Sequence, residues 1–311
     1  MVGKKYKGLR NSSKGFIGSN LKYYYLMLAL PLLYFALFRY LPLFGNILAF
    51  RQFTPGGSIF GTRWVGTKYF QLFLHDPLFW RAFRNTLVLS LLNIVLTFPT
   101  VILFVLLVNE IHHKHMRKLI QTISFLPYFL SIVVIVGMIK EILSPSTGFV
   151  NQLLTSMGKP TVFFVNKPEW FRSIFVVSGL WQFLGFNAII YLAALSNIDD
   201  QLYEAAMMDG CSRFKQTLHV TLPGLAPMII ITLILRIGTI LVVGFEKALL
   251  LYTPNNSTTS DLISLLVYRQ GIVNSDFSYA TAVGLFNAFI GIVLIGSSNY
   301  IAKKFSNTSL M

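Results

Sequence analysis

Six long apolar runs decide what this chain can fold into. They lie near 23–44, 83–109, 119–141, 172–196, 226–250 and 279–301. Each reaches the roughly 20 residues that let an α-helix cross a hydrocarbon core of about 30 Å. Of 311 residues, 54% are hydrophobic and 12% charged, and mean hydropathy is +0.64, far from a water-soluble domain. Pro31, Pro99, Pro127 and Pro227 fall within or at the edges of these runs, where membrane helices tolerate them if neighbours satisfy the freed carbonyls. The expected fold is an all-α integral membrane protein of six transmembrane helices. It divides into a basic segment 1–22, a membrane domain 23–304 carrying a polar loop at 197–225, and a tail 305–311. The first run is too long for a signal-peptide core, follows a polar stretch and lacks a small-residue cleavage site, so it is read as a retained span.

The formal charge of +15 invites a nucleic-acid partner, but its placement argues against one. Lys4, Lys5, Lys7, Arg10, Lys14 and Lys22 precede the first run, Lys114, Arg117 and Lys118 lie in 110–118, and Lys303 and Lys304 follow the last run. The alternate loops 45–81, 142–171 and 251–278 are poorer in Lys and Arg, although Arg39, Arg84, Lys140, Arg172 and Lys247 stand near their face. The positive-inside bias therefore favours a cytosolic N-terminus. An even number of spans returns the C-terminus to that side, together with the loop 197–225.

The single cysteine, Cys211, excludes an intramolecular disulfide. It reads as a small filler residue in a loop on the reducing side. His112, His113 and His115 have only Glu110 as a nearby carboxylate and lack the spacing of a structural zinc site. They are read as part of a solvated basic turn, with no metal expected. No glycine-rich Lys-Ser/Thr phosphate loop occurs.

The loop between the fourth and fifth runs carries the most specific pattern. It reads Glu204-Ala205-Ala206, then Asp209-Gly210, then Val220, Leu222 and Pro223. Leu202 to Asp209 suits a short helix whose small alanines permit close approach to a partner. Gly210 allows a turn where a side chain would clash, and Pro223 suits the start of the next helix. This spacing resembles the cytoplasmic coupling loop of permease subunits in binding-protein-dependent ATP-driven (ABC) importers.

Further motifs carry the resemblance along the chain from about 23 to 304. Trp64-Val65-Gly66, Lys68-Tyr69-Phe70, Asp76-Pro77, Phe79-Trp80 and Asn85-Thr86 resemble the approach to the second span of sugar-importer permeases. Phe125 to Ser131 resembles the third span, Gly148 to Asn151 the loop after it, and Tyr279 to Ala282 with Gly284 the opening of the last span. The likeness is to the polysaccharide and oligosaccharide branch, related to the larger membrane subunit of the maltose importer. The chain departs from the pattern at Cys211, where alanine is usual, and at Val220, where isoleucine is usual.

The resemblance implies a type I importer permease fold in a bacterial cell membrane, with no enzymatic site and no cofactor of its own. ATP and Mg would be bound by two separate ATPase subunits. It also implies a second, homologous permease, an extracellular solute-binding protein and a carbohydrate substrate. Glu204, Ala205, Ala206, Asp209 and Gly210 would engage the ATPase, and Leu222 with Pro223 would join the loop to the fifth span.

Substrate contacts are less sharply marked. Trp181, Gln182, Phe183 and Asn187 combine stacking surface with amides, which suits saccharides but also a belt of interfacial residues. Arg236 is placed near the middle of the fifth span, where an ionisable group faces a cavity or a partner. It would meet a sugar hydroxyl, an acidic sugar, the second permease or a carbonyl. Glu246 lies ten residues on, about 15 Å along a straight helix, too far to pair with it there. Asn93 and Asn287 suit interhelical hydrogen bonds, and Ala280, Gly284 and Ala288 suit a close helix contact. Two other functions compete: import of another solute, such as a polyol or glycerol phosphate, and a membrane-embedded enzyme. The second lacks convergent catalytic groups.

Overall fold

The computed structural model describes residues 23–306. The basic segment 1–22 and most of the expected tail lie outside the described residues. Helices run in the order α1 (Tyr23–Phe50), α2 (Lys68–Leu74), α3 (Pro77–Asn109), α4 (Lys114–Phe125), α5 (Ile132–Ile142), α6 (Phe149–Ser156), α7 (Pro168–Leu195) and α8 (Asp200–Met208). They continue with α9 (Arg213–Gly238), α10 (Phe245–Leu251), α11 (Ile263–Val273) and α12 (Phe277–Ser306). Among the described residues the one β feature is an antiparallel bridge from Arg51 to Trp64. Five helices, α1, α3, α7, α9 and α12, are long and apolar enough to cross a membrane. A sixth crossing is possible if α4 and α5 count as one bent span.

That bend corrects the expected straight third span at 119–141. The chain turns by 98° between α4 and α5. Pro127 lacks an N–H, the turn Leu126–Phe129 tightens to a 3-10 helix, and Leu130 leaves it in an extended conformation with ψ 135°. Ser131 then starts α5 afresh, its hydroxyl accepting from Val134 N at 3.3 Å. α4 also begins at Lys114, so Lys114 to Lys118, read as loop, form its first turn.

The fifth span is corrected too. In place of 226–250, a continuous helix runs from Arg213 to Gly238, and the chain from Thr239 to Gly244 is non-helical before α10. Pro223 stands at the second position of the α-helical stretch Leu222–Gly238, as expected, but that stretch continues a helix already running from Arg213. The proline ring would crowd the carbonyl four residues back, and the stretch Thr217–Thr221 just upstream widens to a π-helix, with Leu222 N donating to Thr217 O. Pro223 is thus accommodated inside a helix already under way.

Packing centres on α3 against α7. One buried cluster joins α2, α3, α11 and α12 around Phe73 and Phe79, a second joins α3, α5, α7, α10 and α11, and a third joins α3, α7 and α9 around Val105 and Leu225. Lipid is as apolar as Leu, so close backbone approach gains more here than simple burial. Gly185 provides one approach, since a Cβ there would sit 2.4 Å from the Ser124 carbonyl oxygen. Gly238 provides another, against Ile295 of α12 at 2.1 Å. At one end of the expected small-residue stripe a Cβ added at Gly271 would lie 2.8 Å from that of Ala280, whereas one added at Gly284 would meet nothing of this chain within 4 Å. Asn93 also departs from expectation, accepting from Thr97 one turn along its own helix at 3.0 Å. The Asn287 carbonyl is buried without a partner.

Polar side chains fix the segment before α11 to α3. Asn85 Nδ2 donates to the carbonyls of Thr258 (2.9 Å) and Asp261 (3.1 Å), and Ile263 N donates to the Thr86 hydroxyl at 3.0 Å. Such bonds stand in for water that the interior lacks.

Candidate functional site

α8 is a short helix presented to the outside of the molecule. Asp199 caps its N-terminus by accepting from Gln201 N at 3.0 Å, and Asp200 adds negative charge to its first turn. Its C-terminus closes as a Schellman motif: Cys211 N donates to Ala206 O at 2.9 Å and Gly210 N to Met207 O at 3.0 Å. Gly210 supplies the required left-handed residue, φ 72°, with nothing within 4 Å of its missing Cβ. Backbone conformation, not crowding, therefore demands glycine. Glu204, Ala205 and Asp209 are exposed, with Ala206 half-buried. Leu202, Met207 and Phe214 are exposed beside them, and Met208 is 89% exposed.

Side chains the sequence did not single out hold this helix in place. Tyr203 and Thr221 hydroxyls meet at 3.0 Å, and Gln216 Nε2 donates to Cys211 O at 3.0 Å. Across the corner between α3 and α4, Arg213 Nη1 lies 2.5 Å from His112 Nε2 and 3.8 Å from Glu110 Oε2. Thr217 donates to Glu110 Oε1 at 3.2 Å. The join to α9 is made by fully buried Leu225 and by Gly224, where a Cβ would meet Ile198 at 2.6 Å. Leu222 is half-buried and Pro223 exposed, so the anchor sits slightly later than the expected pair. The contacts of Arg213 and Thr217 with the α3–α4 corner link positions 101 and 107 residues apart, which no local pattern signals.

The expected pathway residues separate into three environments. Gln182 is buried and donates to the Leu130 carbonyl at the α4–α5 break (3.3 Å), with its Oε1 lacking a partner. Trp181 is exposed on another face of α7. Asn187 accepts from Arg236 Nη2 at 3.1 Å. Arg236 thus lies in the last turn of α9, not in mid-span, and its partner is an amide of the same chain. Glu246 is exposed in the first turn of α10, beyond the helix break, and joins none of the ion pairs among the described residues. Around the α4–α5 break, Tyr128 stacks on Phe186 with centroids 3.9 Å apart, and Phe125 and Phe129 close the group. Lys247, noted in the sequence only for topology, is buried, with Nζ donating to Phe175 O at 2.8 Å.

Known proteins place these features in context. Residues 72–307 match the family model described as binding-protein-dependent transport system inner membrane component. The chain is 39% identical over 289 residues to the Bacillus subtilis protein LplB, spanning 93% of this chain and 91% of that one. It is also 39% identical to the Bacillus subtilis polygalacturonan/rhamnogalacturonan transport system permease protein YteP, spanning 93% and 90%. A chain from the crystal structure of a bacterial alginate ABC transporter, in complex with a periplasmic protein carrying alginate pentasaccharide, superposes with TM-score 0.86. It is 38% identical, with 95% of this chain and 99% of that chain covered.

Proposed function

The chain belongs to the inner membrane component family of binding-protein-dependent transport systems, and from that premise we propose that it imports oligosaccharides or polysaccharide fragments as one half of a paired translocation pathway. The sugar substrate is supported by relatives that are oligosaccharide and polysaccharide permeases. In this reading a second, homologous permease supplies the other half, and two separate ATPase subunits bind ATP and Mg. A solute-binding protein delivers the sugar on the outer face. Both termini face the cytosol, in keeping with the basic residues around 110–118 and 302–311.

One observation carries the coupling role: α8 is exposed, capped at both ends and tied through Tyr203 and Thr221 to α9, whose first turns are themselves tied to the α3–α4 corner. An exposed helix with small Ala205 and apolar Met207 and Met208 suits a groove on a partner. The tethers would pass its displacement into membrane helices. Glu204 would meet a basic or helix-terminal group of the ATPase, and Ala205, Ala206, Asp209 and Gly210 would set the fit. Arg236 with Asn187, and the aromatic group near Gln182 and Trp181, are the proposed sugar contacts, because stacking faces beside fixed amides suit saccharides.

The test is reconstitution. The chain, its neighbouring permease, the ATPase and the binding protein are placed in proteoliposomes with labelled oligogalacturonate or alginate oligosaccharide. Uptake that requires all components and ATP is expected. Uptake of glycerol phosphate or a polyol alone would replace the sugar reading, and a complex lacking any ATPase would remove the coupling reading.

A further inference from the structure

Lys247 is 5% exposed and, among the described residues, forms no ion pair. Its Nζ makes one hydrogen bond there, to Phe175 O of α7 at 2.8 Å, and lies over the Phe175 ring, 4.8 Å from the centroid. An ammonium carries three donors, and a cation withdrawn this far from water is ordinarily paired. The acids on α5, α7 and α11, which pack against α10, are placed elsewhere. Glu141 accepts from the Thr147 hydroxyl at 2.9 Å, Asp261 accepts from Arg81 and Arg269, and Glu169 is exposed, as is Glu246 beside Lys247 in α10. These carboxylates keep their charge, but none of them pairs with the ammonium. Of the cations on the same elements, Lys140 is exposed and Arg172 donates to Asn85 Oδ1 at 3.1 Å.

The ammonium stands in front of Gly179, one turn along α7 from Phe175. A Cβ added at Gly179 would meet Lys247 Nζ at 3.4 Å and, its own helix neighbours apart, nothing else within 4 Å. Gly179 is only half-buried, so the missing side chain leaves an opening through which Nζ is reached. Three residues on, Gln182 is buried, its Nε2 donating to the Leu130 carbonyl and its Oε1 left without a donor. Phe175, Gly179, Gln182 and Phe186 recur at helical spacing and share one face of α7. That face presents in order a cation with unused donors, an amide oxygen without a donor, and the Phe186 ring stacked on Tyr128. Gly179 and Gln182 are separated by about 4.5 Å along the helix axis, close to the width of one sugar ring.

The two polar groups want opposite partners. Nζ lacks an acceptor and Oε1 lacks a donor. A carboxylate alone cannot serve Oε1, and a neutral sugar leaves the ammonium without a counter-charge. A ring that carries a carboxylate and free hydroxyls serves both.

We propose that Lys247 and Gln182 form a subsite for one uronate unit of the saccharide. Its carboxylate is taken by Lys247 Nζ in front of Gly179, and a ring hydroxyl donates to Gln182 Oε1. The subsite rests on the importer reading above and narrows the cargo to acidic saccharides. Phe175 O holds the ammonium in place while its remaining N–H groups face the ligand.

The test uses the whole complex in proteoliposomes. ATP-driven uptake of galacturonate trisaccharide is compared with uptake of its methyl ester, which keeps every ring hydroxyl and lacks the charge. The readout is the ratio of the two KM values, acid over ester. Lys247→Met removes the cation and keeps an unbranched side chain in the buried position; Gly179→Ala leaves the cation and fills the opening. Each should raise the ratio about tenfold, as for loss of one charge-assisted hydrogen bond. A role confined to holding α10 on α7 would move both KM values together. An unchanged ratio in both variants, or an unaltered complex that prefers the ester, would overturn the subsite. Copurification with the ATPase is read throughout, and if Lys247→Met fails to assemble, Gly179→Ala decides by the same ratio. An unaltered complex that takes up neither saccharide would instead remove the importer reading, and the subsite with it.

Discussion

Arg236 and Asn187 join two membrane helices side chain to side chain: the guanidinium Nη2 donates to the amide oxygen at 3.1 Å, tying the last turn of α9 to α7. The arginine is exposed and the asparagine half-buried, so the pair borders open space while still bridging two elements. In the proposed pathway, a sugar hydroxyl entering that space would meet a cation already oriented by its neighbour.

Arg236→Ala should slow oligosaccharide uptake severalfold while the complex still copurifies intact. Asn187→Ala should act in the same direction, and the double variant should lose less than the product of the two. The expected coupling is about 1 kcal/mol, as for one hydrogen bond. Transport kinetics beside copurification check it, and strictly multiplicative losses would remove the pair from the pathway.

Gly210 tests the loop by backbone conformation alone. With φ 72° and no neighbour near its Cβ, Gly210→Ala should cost about 1 kcal/mol of local strain, Gly210→Asn less, and Gly210→Pro most. Substrate-stimulated ATP hydrolysis should fall in that order at equal expression. Glu204→Lys should impair it through charge reversal without loss of the protein from the membrane. Wild-type rates for Gly210→Pro and Glu204→Lys together would sink the coupling role.

Cys211 reports sidedness. It is the only cysteine and is partly accessible, so in intact cells a membrane-permeant maleimide should label it and a charged, impermeant one should not. Rapid labelling by the impermeant reagent would place α8 outside and invert the topology.

Two glycines should respond oppositely to alanine. Gly185→Ala drives a Cβ to 2.4 Å from a backbone carbonyl that cannot step aside, and overpacking of this kind costs about 1–3 kcal/mol. Gly284→Ala meets nothing within 4 Å and should be neutral. Thermal unfolding in detergent, followed by loss of monodisperse protein, distinguishes them.

The helices were legible because about 20 apolar residues in lipid have few alternatives, and α8 was legible from its alanines and its Gly210 stop, although its start, capped by Asp199, lies two residues before the expected Leu202. The break at Leu130 was missed although Pro127 and Ser131 stood in plain view, since an apolar run hides a bend that leaves composition unchanged. Arg236 stands in the last turn rather than mid-helix for a related reason: the helix begins at Arg213, absorbs a π turn at Thr217–Thr221 and stops at Gly238. Asp261 between Arg81 and Arg269 lay beyond reach, because residues 180 positions apart in sequence leave no periodic trace. Gly284 carries a regular spacing whose counterpart does not lie within this chain among the described residues.

Glu110 ends α3 and Arg213 opens α9, and their contact at 3.8 Å, with His112 and Thr217 beside it, holds α9 at a second point beyond the Tyr203–Thr221 bond that ties it to α8. A load held at a single point swivels freely; held at two, it turns about the line between them. α3 and α9 therefore share an axis whose direction is set by side chains outside the lipid. Exposed ion pairs of this kind contribute at most about 1 kcal/mol, so the bearing slips before either helix bends. In the proposed coupling role, torque beyond that limit would be shed at the corner, and the buried join at Leu225 would carry the remainder into α9.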